Sequence, residues 1–199
     1  KSSPGAGRQH RRSRRAFTML DLSKNHFELF GLPVAYVVDQ DALRAHYREL
    51  QRVVHPDRYA DRPEQERRLS MQGAAQINEA FQTLQDPVTR ARYLLALHGV
   101  EMQPDHETTR DTAFLMEQLA LREELEGLRV SADPLGGVQE FLGRIDQSIR
   151  TMISQMAVDF ETPDAERLDQ IRERVRKMQF LKRLYAEAEA LEAEIEDGV

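Results

Sequence analysis

Residues 41–57 read DALRAHYRELQRVVHPD, and this stretch decides the first half of the fold. Its apolar side chains recur at steps of four, three and four, at Leu43, Tyr47, Leu50 and Val54. This spacing predicts an amphipathic helix over about 41–54. Because a proline disfavours helical geometry at the residue before it, Pro56 should end the helix at His55. The tripeptide His55-Pro56-Asp57 is then a rigid turn that carries a ring and a carboxylate.

The segments around this turn also predict helices. Asn25 to Leu29 reads as a short helix closed by Gly31. Beyond a polar loop, a helix is expected over about 63–85, and another runs from 87 to 98. The inward positions predicted for the 63–85 helix are Leu69, Ala74, Ile77, Phe81 and Leu84.

Arginines form a second pattern on the first amphipathic helix. Arg44, Arg48 and Arg52 recur at strict steps of four, so they share one outward face. With Arg58 they form a basic stripe that leads into the turn and suits an acidic partner surface. Without the adjacent turn, an ordinary solvated helix face would explain them equally well.

Composition limits what the chain can be. It has 199 residues, 40% hydrophobic, and a net charge of −6. Residues 1–18 hold six bases and no acids, so the remaining residues carry 22 bases against 34 acids, a charge of −12. An acidic body argues against nucleic acid as the main ligand. The sequence has no cysteine, which excludes disulfides and thiolate ligation by this chain.

The basic first segment has no apolar periodicity. Residues 1–18 are expected to be a disordered leader, vector-derived or translated from upstream of a native start at Met19. An arginine-rich targeting peptide or a nucleic-acid arm is the alternative. No uninterrupted apolar run is long enough to cross a membrane.

The second half of the sequence predicts three long helices, at about 111–129, 138–159 and 164–196. Asp133-Pro134 and Gly136-Gly137 are expected to break the chain between the first two. Heptad-like apolar stripes and short loops predict an antiparallel three-helix bundle. No segment alternates at period two, so no sheet is expected. The predicted domains are 19–98 and 111–199, joined by a linker over 99–110.

The arrangement around His55-Pro56-Asp57 resembles the J-domain. The resemblance covers about residues 25–97 and includes the helix end INEAFQTLQDP at 77–87. J-domains bind DnaK-class chaperones and stimulate their ATP hydrolysis. By this resemblance the chaperone-binding residues would be His55, Pro56, Asp57, Arg44, Arg48, Arg52 and Arg58.

The helix that starts near Asp111 is apolar on two faces. Phe114, Leu121, Leu125 and Leu128 form one stripe, whereas Leu115, Met116 and Leu119 add apolar surface beside it. A helix with two apolar faces must bury both or offer one to a partner. The second face could therefore pack within the protein instead of binding a partner.

The segment DTAFLMEQLALREELE at 111–126, together with RKMQFLKRL at 176–184 and LHG at 97–99, resembles the HscB family of iron–sulfur co-chaperones. The resemblance covers about 25–195 and implies an all-α, L-shaped, two-domain co-chaperone. By the same resemblance, the bundle would bind the cluster scaffold protein IscU through Leu115, Met116, Leu119, Glu123 and Phe180. Ala120 and Gly127 stand where relatives can have an acidic residue, so we expect this surface to carry fewer acidic side chains than in those relatives.

Other functions have weaker support. His98 and His106 lack metal-site spacing, and no nucleophile elbow or phosphate loop occurs, so we expect no metal, cofactor or enzymatic activity. The expected protein is a monomer of the bacterial cytoplasm that binds an HscA-type or DnaK-class ATPase. A J-domain protein with a different client and a helical adaptor without a chaperone partner are the alternatives.

Overall fold

The computed structural model describes residues 24–102 and 112–198. The predicted leader at 1–18 lies outside the described residues, as does most of the predicted linker. Within the described ranges the chain forms α-helices, one 3₁₀ turn and no strand, which confirms the all-α prediction. The α-helices are α1 (His26–Leu29), α2 (Gln40–Val54), α3 (Glu64–Gln85), α4 (Pro87–Leu97), α5 (Thr112–Leu128), α6 (Pro134–Asp159) and α7 (Ala165–Asp197), and Pro56–Tyr59 is the 3₁₀ turn.

Side-chain caps begin several of these helices. Asn25 and Glu28 form a reciprocal capping box at α1. Asp39 caps α2, because its carboxylate accepts the backbone N–H groups of Asp41 and Ala42 at 3.0 Å each. Gly31 closes α1 with a φ of +63°, a left-handed conformation that favours glycine.

Contacts divide the chain into two compact units, residues 1–90 and 91–199. In the first unit, α2 and α3 form an antiparallel hairpin. Tyr47 stacks on Phe81 with ring centroids 4.1 Å apart, whereas Val54, at the other end of α2, meets Ser70. The buried hydrophobic residues of the hairpin and of α1 with its C-cap are Phe27, Phe30, Leu43, Val54, Ile77, Ala80 and Leu84.

The inward face of α3 differs from its prediction. Ser70, Gly73, Ile77, Ala80 and Leu84 are buried, and Leu69 is exposed. The prediction for Leu69 was therefore wrong, although Ile77 and Leu84 were correct. Serine and glycine give no hydrophobic signal, so the apolar spacing pointed to the neighbouring leucine instead.

In the second unit, α5, α6 and α7 pack as a bundle. Gln139, near the start of α6, bonds to Glu192 near the end of α7, and Asp159 at the end of α6 pairs with Arg174, so these helices are antiparallel. Their shared core consists of Phe114, Leu125, Val138, Phe141, Leu142, Ile145, Phe180, Leu181, Leu184, Ala188 and Leu191.

The start of α6 also corrects the prediction. Asp133 and Pro134 were predicted to interrupt the helical structure, but they begin α6: Asp133 is its N-cap and Pro134 lies in its first turn. Gly136 and Gly137 are helical, and the Asp133 carboxylate accepts the backbone N–H of Gly136 at 3.0 Å. A Cβ on Gly137 would lie 2.8 Å from the Leu128 Cδ2 atom. Gly137 therefore allows the Leu128 side chain to pack closely against α6, and it does not break the helix.

Candidate functional site

The turn at His55 to Asp57 is an exposed corner at the end of α2. Helical geometry stops at Val54, and His55 has φ −55° and ψ 124°, the extended conformation expected before a proline. The side chains of His55 and Asp57 are 53% and 91% exposed. Both predicted binding groups are therefore presented to solvent.

Hydrogen bonds within the corner orient the imidazole ring. The Nδ1 atom of His55 accepts the backbone N–H of Asp57 at 3.3 Å, and it lies 3.7 Å from the Asp57 carboxylate. Because Nδ1 acts as the acceptor, the neutral ring carries its proton on Nε2. The His55 ring thus offers a partner an N–H donor, and Asp57 offers an acceptor beside it.

The last carbonyls of α2 receive three side-chain donors, which we call the carbonyl clamp. The Arg58 guanidinium donates to the carbonyl of Arg52 at 2.7 Å. The hydroxyl of Tyr59 donates to the carbonyl of Val53 at 3.2 Å, and that of Ser70 donates to Val54 at 2.6 Å. The last carbonyls of a helix have no intrahelical hydrogen-bond donors, so the clamp supplies donors to carbonyls that the turn at Pro56 would otherwise leave unpaired.

The basic stripe lies on the exposed surface of α2, as predicted. Arg44 is 3.6 Å from Asp41, in a pair that water screens because both side chains are largely exposed. Arg48 and Arg52 form no ion pair with any residue that the structure describes. Arg58 is exposed too, but its bond to the α2 backbone gives it a structural role that the sequence did not indicate.

The second predicted surface lies on α5. Leu115, Met116 and Leu119 are 43%, 62% and 51% exposed, and Glu123 is also exposed. Residues three and four apart on a helix are neighbours, so these four side chains form one continuous patch. We call them the apolar face. Within the second unit, α5 buries Phe114 and Leu125 and leaves this face uncovered.

Phe180, the fifth residue that the resemblance assigns to scaffold binding, is buried. It is 3% exposed, and its ring packs edge-on against Phe114 with centroids 5.9 Å apart. The guanidinium of Arg122 lies 5.8 Å from the ring centroid and helps to cover it. In the sequence, Phe180 directly precedes the core residue Leu181, but only its contact with Phe114 on another helix shows that it is buried.

No cluster of His, Cys, Asp or Glu with metal-site geometry occurs in 24–102 or 112–198. None of the helices in those ranges combines the length and the apolarity that a membrane span requires.

Each half of the chain matches a known protein family, and the whole structure resembles solved structures. Residues 25–93 match the DnaJ domain, and residues 110–189 match the HscB C-terminal oligomerisation domain. The structure is similar to the chaperone HscB from Vibrio cholerae, with 38% identity and a TM-score of 0.78 over 86% of this chain and 99% of that chain. The chain belongs to the HscB family.

Two eukaryotic proteins also have similar structures. Human co-chaperone HscB is 26% identical, with a TM-score of 0.75 over 85% of this chain and 83% of the human chain. The Jac1 co-chaperone from Saccharomyces cerevisiae shares the fold, at 23% identity and a TM-score of 0.65 over 84% of this chain and 93% of that chain. This HscB-family protein is thus a J-domain co-chaperone for iron–sulfur cluster assembly, with a Hsp70-class chaperone and a scaffold as partners.

Proposed function

We propose that this protein brings an IscU-type scaffold to an HscA-type ATPase and stimulates ATP hydrolysis by that chaperone. The corner and the basic stripe are the proposed chaperone-docking surface, and the apolar face is the proposed scaffold-binding surface. The observation that carries the proposal is that one chain exposes both surfaces on separate compact units.

The corner and the stripe would contribute in different ways. The unpaired guanidinium groups of Arg48 and Arg52 attract an acidic surface over a distance and set its register. At short range, His55 would donate a hydrogen bond through Nε2 and Asp57 would accept one. Charge-assisted bonds to the Asp57 carboxylate are stronger than neutral ones, so Asp57 would contribute more to the contact than a neutral acceptor.

The tethering of two binding surfaces explains how such a protein acts without chemistry of its own. Once the scaffold is bound, its effective concentration at the chaperone is of the order of mM for a linker of suitable length. Because the sequence has no cysteine, we propose that the cluster stays on the scaffold throughout. Similarity to the Vibrio cholerae protein supports a bacterial cytoplasmic location as part of this proposal.

A titration of chaperone ATPase rate against this protein, with and without IscU, tests the proposal. We expect the protein alone to raise the rate, and protein and scaffold together to raise it by more than the sum of their separate effects. If the protein leaves the rate unchanged, the chaperone-docking assignment is wrong. If it stimulates but retains no IscU in a pull-down, a different client uses the apolar face.

A further inference from the structure

Ser70 is a buried hydroxyl on an otherwise apolar or small-residue face. It lies on the inward stripe of α3 with Ile77 and Leu84, and none of its surface is exposed. A hydroxyl at such a position costs free energy unless it finds a hydrogen-bond partner. Its partner is the carbonyl of Val54, one residue before the corner.

The three donors of the carbonyl clamp differ in what they connect. Arg58 and Tyr59 belong to the 3₁₀ turn itself, so their bonds tie that turn to the backbone at the end of α2. Ser70 comes from α3, sixteen residues away from Val54. Its bond therefore ties the end of α2 to the opposite helix of the hairpin.

We propose that Ser70 and Tyr59 are positioning residues for the chaperone-docking corner. Their hydroxyls hold the carbonyls of Val54 and Val53 and so fix the direction in which His55 and Asp57 leave α2. This inference rests on the proposed function, since it assigns to the clamp the task of presenting that surface.

The physical reason is the tendency of helix ends to fray. Without donors from the protein, the carbonyls of Val53 and Val54 would turn toward water, and the residues that follow would turn with them. A partner would then have to order the corner on binding, which reduces affinity. A corner held by the clamp is ordered before the partner binds, so the binding free energy is not reduced by this cost.

The test compares Ser70→Ala and Tyr59→Phe with a control, Ile77→Val, in the full-length protein. Ile77 is fully buried on the same face of α3, so its truncation weakens the hairpin packing. It leaves the donors of the clamp intact. Two quantities are measured for each variant: the concentration that half-maximally stimulates chaperone ATPase, and the hydrogen-exchange rate of the Arg58 amide, which bonds to the carbonyl of His55 at 3.0 Å.

We expect each clamp variant to raise the half-stimulating concentration about five-fold, the equivalent of one hydrogen bond. The Arg58 amide should exchange faster in both clamp variants, because a loosened corner opens more often. Ile77→Val should match the wild type in both quantities, and all three variants should retain wild-type affinity for IscU.

Wild-type values for Ser70→Ala and Tyr59→Phe in both measurements would overturn the inference. So would equal effects of Ile77→Val, because the cause would then be general destabilisation. If Ser70→Ala does not fold, Tyr59→Phe decides alone, since it removes one oxygen atom and keeps the ring. If the wild type fails to stimulate the chaperone, the proposed function is at fault, and amide exchange still tests the clamp.

Discussion

Replacement of Leu115, Met116 and Leu119 by alanine together is the strongest test of the apolar face. All three side chains project from α5 and are about half exposed, so they contribute little to the core of the bundle. Alanine has the highest helix propensity, and the substitutions should therefore leave α5 helical. We expect scaffold binding to weaken while the fold remains.

The expected loss follows from the exposed area. Complete burial of a leucine or methionine side chain contributes about 1.5–3 kcal/mol. Roughly half of each side chain remains to be buried in a complex, so the three together are worth about 3 kcal/mol, or about a 100-fold rise in Kd. Exposed substitutions usually change the free energy of unfolding by only about 0.5 kcal/mol each.

Calorimetric titration of IscU into the triple variant measures this loss, and thermal unfolding checks the fold. Val158→Ala is the matched control, because Val158 is 64% exposed on α6 and outside the apolar face. The control should bind IscU with the wild-type Kd. A triple variant that folds normally and binds within two-fold of the wild type would refute the assignment of this surface.

Three further predictions address single residues. His55→Gln should abolish ATPase stimulation and leave the Kd for scaffold unchanged, and stimulation that survives would exclude the corner as the docking element. Phe180→Ala should lower the free energy of unfolding of the bundle by about 3–5 kcal/mol, measured by denaturant titration; weaker scaffold binding at unchanged stability would instead make the ring a direct contact. Burial lowers the pKa of His26 from 6.5, partly offset by the charge of Glu79. Protonation of His26 therefore favours the unfolded state, so the thermal midpoint of the first unit should decrease as the pH falls below 6.5, and less so in His26→Gln.

Local signals in the sequence were sufficient for most of the fold. Apolar spacing predicted the helices α2, α3, α5 and α7 to within about two residues, because an amphipathic helix records its buried face directly in its periodicity. The spacing failed where small residues face the core. Ser70 and Gly137 pack closely, and neither carries the apolar side chain by which periodicity is recognised.

The burial of the charged residue Arg90 is another feature that apolar spacing does not predict. Arginine is rarely found inside a protein, yet Arg90 donates to the carbonyl of Leu84 at 2.5 Å and lies 5.0 Å above the ring of Tyr36. Burial lowers the pKa of Arg90 and raises that of Tyr36 to about 12. Leu84 contributes only its backbone carbonyl and Tyr36 comes from a distant part of the sequence, so no pattern of side chains indicates the arrangement.

The sequence by itself determined the corner, since Pro56 restricts the backbone of His55 whatever surrounds it. It also determined that α5 has more apolar surface than one core face can bury. Only the tertiary structure decided that Phe180 lies inside the bundle and that side chains clamp the end of α2. Those features depend on which atoms meet when separate helices pack, and periodicity along one helix does not specify its neighbours.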